Sequence, residues 1–133
     1  MILSFEPVCD EIENLFIRNL PEYIEKINKH YNDGIILKKF ENKKLTDECI
    51  KQPCFFFDYL TAAMEPKDRI IENAIFVLAF DIKMQEKGKR KITLFWRYVE
   101  AMQKMFKEEE TTYTYEIAEV KKNKLILHAK VNL

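Results

Sequence analysis

Hydrophobic positions fall into two kinds of rhythm along this chain. Val8, Ile12, Leu15 and Phe16 recur at helical spacing, and beyond Pro21 so do Leu20, Ile24, Ile27 and Tyr31. The pattern predicts helix from about Pro7 to Asn32, either as two helices or as one kinked at Asn19-Leu20-Pro21, because proline damages a helix interior. Asp33-Gly34 ends the segment, with Gly34 available for a left-handed cap. Ile35 to Phe40 reads as a short strand and polar Glu41 to Gln52 as a loop. Pro53 to Leu60, built around Phe55-Phe56-Phe57-Asp58-Tyr59, reads as a second strand, and Thr61 to Lys67 as a connection.

The clearest signal runs from Arg69 to Glu86. Even positions are almost all apolar: Ile70, Ala74, Phe76, Leu78, Phe80, Ile82 and Met84. Odd positions are apolar at Ile75, Val77 and Ala79 and then polar from Asp81 onward. A period of two predicts a strand, covered on both faces in its middle and on one face at its far end. At about 3.3 Å per residue it exceeds 50 Å, so a bulge is expected, with a portion reaching past the domain body.

Glu86 to Lys91 reads as a turn and Ile92 to Lys107 as a long helix. Leu94, Phe95, Tyr98, Val99, Met102, Met105 and Phe106 form its apolar stripe, and Arg97, Glu100, Lys104 and Lys107 the opposite face. With Leu94 at zero and about 100° per residue, that stripe spans about 140° and Trp96 falls near 200°, at its margin. Alternation around Tyr113, Tyr115 and Ile117, and again from Leu125 to Leu133, predicts a closing hairpin turning at Lys121-Lys122-Asn123-Lys124. The whole reads as one α+β domain over residues 1–133. A mainly antiparallel sheet carries the N-terminal helices and one long helix, in the order α(α)-β-β-β-α-β-β.

Composition narrows the classes. Apolar residues make up 47% of 133, ample for a packed core and unlike a disordered chain. Lys plus Arg and Asp plus Glu each number 22, a balance that argues against a dedicated nucleic-acid binder. No run approaches the roughly 20 apolar residues of a membrane span, and the first residues lack the pattern of a signal peptide. The three cysteines, Cys9, Cys49 and Cys54, are odd in number and fit reduced thiols in the cytoplasm.

Catalytic signatures are missing. No phosphate-binding glycine loop, nucleophile elbow or H-E-x-x-H occurs, and the lone serine is Ser4. His30 and His128 are isolated, so neither a metal set nor a cofactor site is expected. Asp58 and Asp81 could be imagined as an acid/base pair, but a strand-edge carboxylate and a polar-face carboxylate explain them better. The one basic cluster is Lys87, Lys89, Arg90 and Lys91. With Trp96 and the polar end of the long strand it is the expected protein-interaction surface, since tryptophan is enriched among interface anchors.

Several phrases bring a family into view. Asn19-Leu20-Pro21-Glu22-Tyr23-Ile24, Tyr31-Asn32-Asp33-Gly34-Ile35, Pro53-Cys54-Phe55-Phe56-Phe57, Glu72 to Lys83, and Phe95-Trp96-Arg97-Tyr98-Val99-Glu100-Ala101-Met102 follow one another in a telling order. In them the chain resembles phage tail terminator (tail completion) proteins, especially the prophage-encoded type, over nearly its full length. The resemblance implies a non-enzymatic structural protein forming a ring, typically a hexamer, that caps the tail tube and joins it to the head connector. The implied partners are further copies of itself, the tail-tube protein and the head–tail connector protein. The implied location is the bacterial host cytoplasm during assembly and the tail or head–tail junction of the virion. Two other readings compete: a small ligand-binding or enzymatic domain with an aromatic pocket of Phe56, Phe76, Phe80 and Tyr98, and a nucleic-acid-associated protein using Lys87 to Lys91.

Overall fold

The computed structural model describes residues 6–40, 54–67, 70–84, 86–121 and 124–132; for 54–67, 70–74 and 132 only the backbone is described. The N-terminal helical segment is continuous: α1 (Glu6–Asn14), a π-helical turn (Leu15–Asn19) and α2 (Leu20–Tyr31). The expected break at Pro21 becomes this wide turn. Pro21 has no N–H for the carbonyl of Ile17, and the Leu20 N–H instead donates five residues back to the Leu15 carbonyl. The left-handed residue that ends α2 is Asn32 (φ 43°), ahead of the expected Gly34, and its N–H bonds the Asn28 carbonyl at 3.0 Å.

Residues 35–40 form no strand, contrary to expectation. Leu37 and Phe40, three positions apart, are buried, while Ile36, Lys38 and Lys39 are exposed, so burial does not alternate as in a strand. The backbone partner of Leu37 is a side chain. The Asn28 carboxamide accepts from the Leu37 N–H at 2.8 Å and donates to the Leu37 carbonyl at 3.0 Å. The expected loop Glu41 to Gln52 lies outside the described residues.

Strands β1 (Cys54–Lys67) and β2 (Ile70–Lys83) make a long hairpin, so the stretch from Thr61 to Lys67 is strand and not a connection. Helix α3 (Gly88–Glu108) follows, then β3 (Thr114–Lys121) and β4 (Lys124–Asn132). The sheet is antiparallel in the order β1-β2-β4-β3. The architecture is α+β as the alternation predicts, less the strand at 35–40. The bulges fall where the β1–β2 register shifts, at Phe57/Tyr59 and Glu65/Pro66. Residues 70 and 71 of β2 pair with β1 alone, so the hairpin reaches past β4.

Phe76, Leu78, Phe80 and Ile82 of β2 and Leu125, Leu127 and Ala129 of β4 enter one core with α1, α2 and α3. Phe16 stands 5.4 Å from Phe80, ring to ring, and Phe40 stacks on Tyr98 at 4.9 Å. The second face of β2 departs from expectation. Ala79 is buried, but Ile75 and Val77 are only half-buried and lie outside that core.

Candidate functional site

Helix α3 begins four residues earlier than the sequence suggests. Lys87 is its N-cap, without a capping side-chain bond, and Lys89, Arg90 and Lys91 occupy its first turn. The basic cluster is therefore the start of a helix, not the tip of a turn. Gly88 takes φ 65° there, a left-handed conformation that turns the chain out of β2 without the penalty a side chain would bring. No acidic residue sits in this first turn. Cations at the positive end of a helix dipole oppose it, so local stability does not account for the cluster. Lys87, Lys89 and Arg90 are exposed and Lys91 is half-buried.

Further along, the buried face of α3 is broader than its apolar stripe, because Arg97 and Ala101 join it. Arg97, expected on the polar face, is 8% exposed. It is drawn in by Asp33, whose carboxylate accepts from both guanidinium nitrogens at 3.0 and 2.6 Å. The guanidinium also lies over the Tyr31 ring, 3.9 Å from its centroid. The Arg97 guanidinium holds the Asp33 carboxyl down at about 2, with the Ile35 N–H assisting. The Tyr31 hydroxyl donates to Glu100 at 2.7 Å, and that bond to a carboxylate pushes the phenol up. The exit of α2 and the middle of α3 are thus joined by a chain of four side chains: Asp33, Arg97, Tyr31 and Glu100.

With Arg97 and Ala101 inside, the centre of the buried arc moves to about 40° from Leu94, and Trp96 at about 200° points almost directly away from it. Trp96 is therefore not marginal but outward. It is 53% exposed, and Ile92, one turn earlier, is 60% exposed. An open depression of about 590 Å³ lies beside them, walled by Tyr31, Arg97, Glu100 and Gln103. Lys89, Ile92, Trp96 and Glu100 share this outward stripe. Sequence reading singled out Lys87, Lys89, Arg90, Lys91 and Trp96, and the structure places all five on the N-terminal half of one helix. It missed Ile92, Tyr31, Asp33, Arg97 and Glu100; the one available signal was the i, i+4 spacing of Ile92 and Glu100 on either side of Trp96.

A second constellation secures the far end of the helical layer. Glu11 of α1 accepts the Thr112 N–H at 2.9 Å, the Tyr113 N–H at 3.2 Å and the Tyr115 hydroxyl at 2.8 Å. Burial alone would raise its carboxyl, yet these bonds outweigh burial and hold it below the usual carboxylate range. Tyr115, half-buried and donating to that anion, is pushed far up. These three donors shape the entry to β3, which is a structural role.

The aromatic residues of the pocket reading are packed solid. Phe76, Phe80 and Tyr98 are 1%, 0% and 2% exposed, and the Phe56 side chain lies outside the described residues. Tyr98 donates to the Lys38 carbonyl at 2.5 Å, and its phenol is raised by burial. Asp81 is half-buried opposite Lys124 in the β2–β4 register, and Asp58 falls at the first β1 bulge with its side chain outside the description. His30 stacks edge-on against Tyr31, and His128 is half-buried on β4. Among the described residues no three of His, Cys, Asp or Glu gather as metal ligands would, and no helix is long and apolar enough to cross a membrane. Comparison with protein-family models, with curated proteins and with solved structures finds no match to this chain.

Proposed function

We propose that this chain is a structural subunit of phage or prophage origin, acting by contact and not by catalysis. It resembles tail terminators, and on this reading copies associate as a ring, six in the family it resembles, cap the tail tube and offer a surface to the head–tail connector. The observation that carries the reading is the outward pair Ile92 and Trp96, 60% and 53% exposed and one turn apart. Two large apolar side chains set on a rigid support beside four cations are what a protein contact surface needs, and the packing of the core has no use for them. The phrases of the resemblance support the partner identities. They fall on the π turn and start of α2, on the exit of α2, on β1, on β2 and on the middle of α3. The partners are then further copies, the tail-tube protein and the connector protein. The site of action is the host cytoplasm during assembly and the head–tail junction afterwards. No cofactor, membrane or dedicated nucleic-acid contact enters the reading.

The test is sedimentation of the purified protein alone and with tail tubes, together with complementation of tail joining. Trp96→Ala and the reversal Lys89→Glu, Arg90→Glu are expected to weaken association while leaving the melting temperature near that of the parent, the reversal more strongly at low salt. Variants that fold and join tails as the parent does would remove this surface from the reading. A parent that neither self-associates nor binds tubes would remove the reading itself.

A further inference from the structure

We infer that the outward stripe of α3 is the contact surface for a second copy of this chain. The two helices run antiparallel about a two-fold axis, with Lys89 of each against Glu100 of the other and Ile92 of each against Trp96 of the other. The inference rests on α3 being a protein contact, but not on the ring.

The stripe reads, from its N-terminal end, cation, aliphatic, aromatic, anion: Lys89, Ile92, Trp96, Glu100. At about 100° per residue these four lie within about 80° of one another, centred opposite the core. Reversed end to end, the same series is its own complement. Residue numbers that face each other in an antiparallel pair have a constant sum. Ile92 with Trp96 sums to 188 and Lys89 with Glu100 to 189, one residue apart and within side-chain reach. A single register therefore satisfies all four residues of both copies, with the axis level with residue 94. A two-fold contact requires this self-complementarity. Antiparallel α3 dipoles also bring the positive start of each helix toward the middle of the other, where Glu100 stands.

The rest of the site prepares the contact. Glu100 is held by the Tyr31 hydroxyl, and Tyr31 by the Arg97 guanidinium on its ring, which fixes the anion before a partner arrives. Arg97 itself is committed to Asp33 and places no free cation opposite Lys89 of the partner. The chain has no net charge to keep copies apart, with 22 cationic and 22 acidic residues. One helix face is a small interface, so half-association is expected at roughly 10–100 μM.

Trp96 is the lone tryptophan, so its emission reports this surface directly. The experiment follows sedimentation and Trp96 emission of the full chain up to about 1 mM. The expected result is a species of twice the 16.0 kDa chain mass, with emission moving to the blue as it forms. Lys89→Glu alone and Glu100→Lys alone should each weaken association at least roughly tenfold, since each sets like charges opposite one another in both halves of the pair. An equimolar mixture of the two variants should regain it, because both contacts of the mixed pair are then opposite in charge. Lys89→Glu is a surface change, whereas Glu100→Lys also gives up the bond from the Tyr31 hydroxyl; a melting curve identifies a variant that fails to fold, and Trp96→Ala then replaces it. Absence of a two-copy species, or a mixture no tighter than its components, overturns the inference. Rings indifferent to the charge variants overturn it while leaving the proposed function standing. A two-copy species that obeys the mixing rule and never grows supports the inference and counts against the ring.

Discussion

Truncating Phe80 tests the register of β2 and through it the whole layer arrangement. Phe80 is fully buried, 5.4 Å from the Phe16 ring, and its strand neighbours are Phe57 and Leu125. Phe80→Ala loses the transfer free energy of a ring and leaves a cavity bounded by helix and sheet, for a cost of about 4 kcal/mol. With about 2.1 cal/mol/K of unfolding entropy per residue, 133 residues give about 280 cal/mol/K, so the midpoint should fall by about 14 °C. Val77 is the control, an odd position on the half-buried face, where Val77→Ala should cost about 1 kcal/mol and about 4 °C. Thermal unfolding followed by circular dichroism, repeated in urea, measures both. Equal shifts, or a larger loss at Val77, would mean that the strand sits one residue out of register and that the opposite set of side chains faces the helices.

Two further outcomes are expected. Asn32 sits at φ 43° with its backbone N–H already bonded, so Asn32→Gly should be neutral or slightly stabilising, whereas Asn32→Ala should cost about 1 kcal/mol in the same melts. In acid, the folded carboxyls of Asp33 and Glu11 lie below their ordinary values of 3.8 and 4.5, so the unfolded chain binds more protons. Their contribution is therefore complete above those values and is lost as the pH falls, for Asp33 through about 2. Stability measured from pH 6 down to 2 should decline, and less steeply in Asp33→Asn and Glu11→Gln; unchanged slopes would mean these bonds do not persist in solution.

The sheet was legible because its signal is strictly local. Alternation at Phe76, Leu78, Phe80 and Ile82, and at Leu125, Leu127 and Ala129, survives any tertiary arrangement that keeps one face dry. Residues 35–40 are rich in apolar side chains and still form no strand, because their burial does not alternate and the carboxamide of Asn28, nine positions earlier, satisfies the Leu37 backbone that a neighbouring strand would have paired. Arg97 misleads for a similar reason. Its charge places it outside on any helical wheel, and only Asp33, 64 positions away, brings it in. That burial in turn rotates the centre of the packed arc and exposes Trp96. The start of α3 was hidden because Lys87 offers no capping side chain and three cations follow where acids would mark a first turn. Apart from Ile92, the members of the site that sequence reading missed are residues whose position depends on another residue far along the chain.

The π turn at Leu15–Asn19 has a consequence for how this segment can change length. The apolar stripes of α1 and α2, projected on an uninterrupted α-helix, are offset by roughly one residue, about 100°. The wide turn takes up that residue, so Val8 and Ile12 share a dry face with Tyr23, Ile24 and Ile27. Removing one residue between Leu15 and Asn19 would thus keep both stripes aligned with no turn at all, were it not for Pro21, which forbids the regular helix that would result. Shortening and replacement of Pro21 are therefore coupled: the deletion alone should unsettle the helix, Pro21→Ala alone should change little, and the two together should restore an uninterrupted helix. A lineage could pass between the two lengths only by acquiring the proline change first.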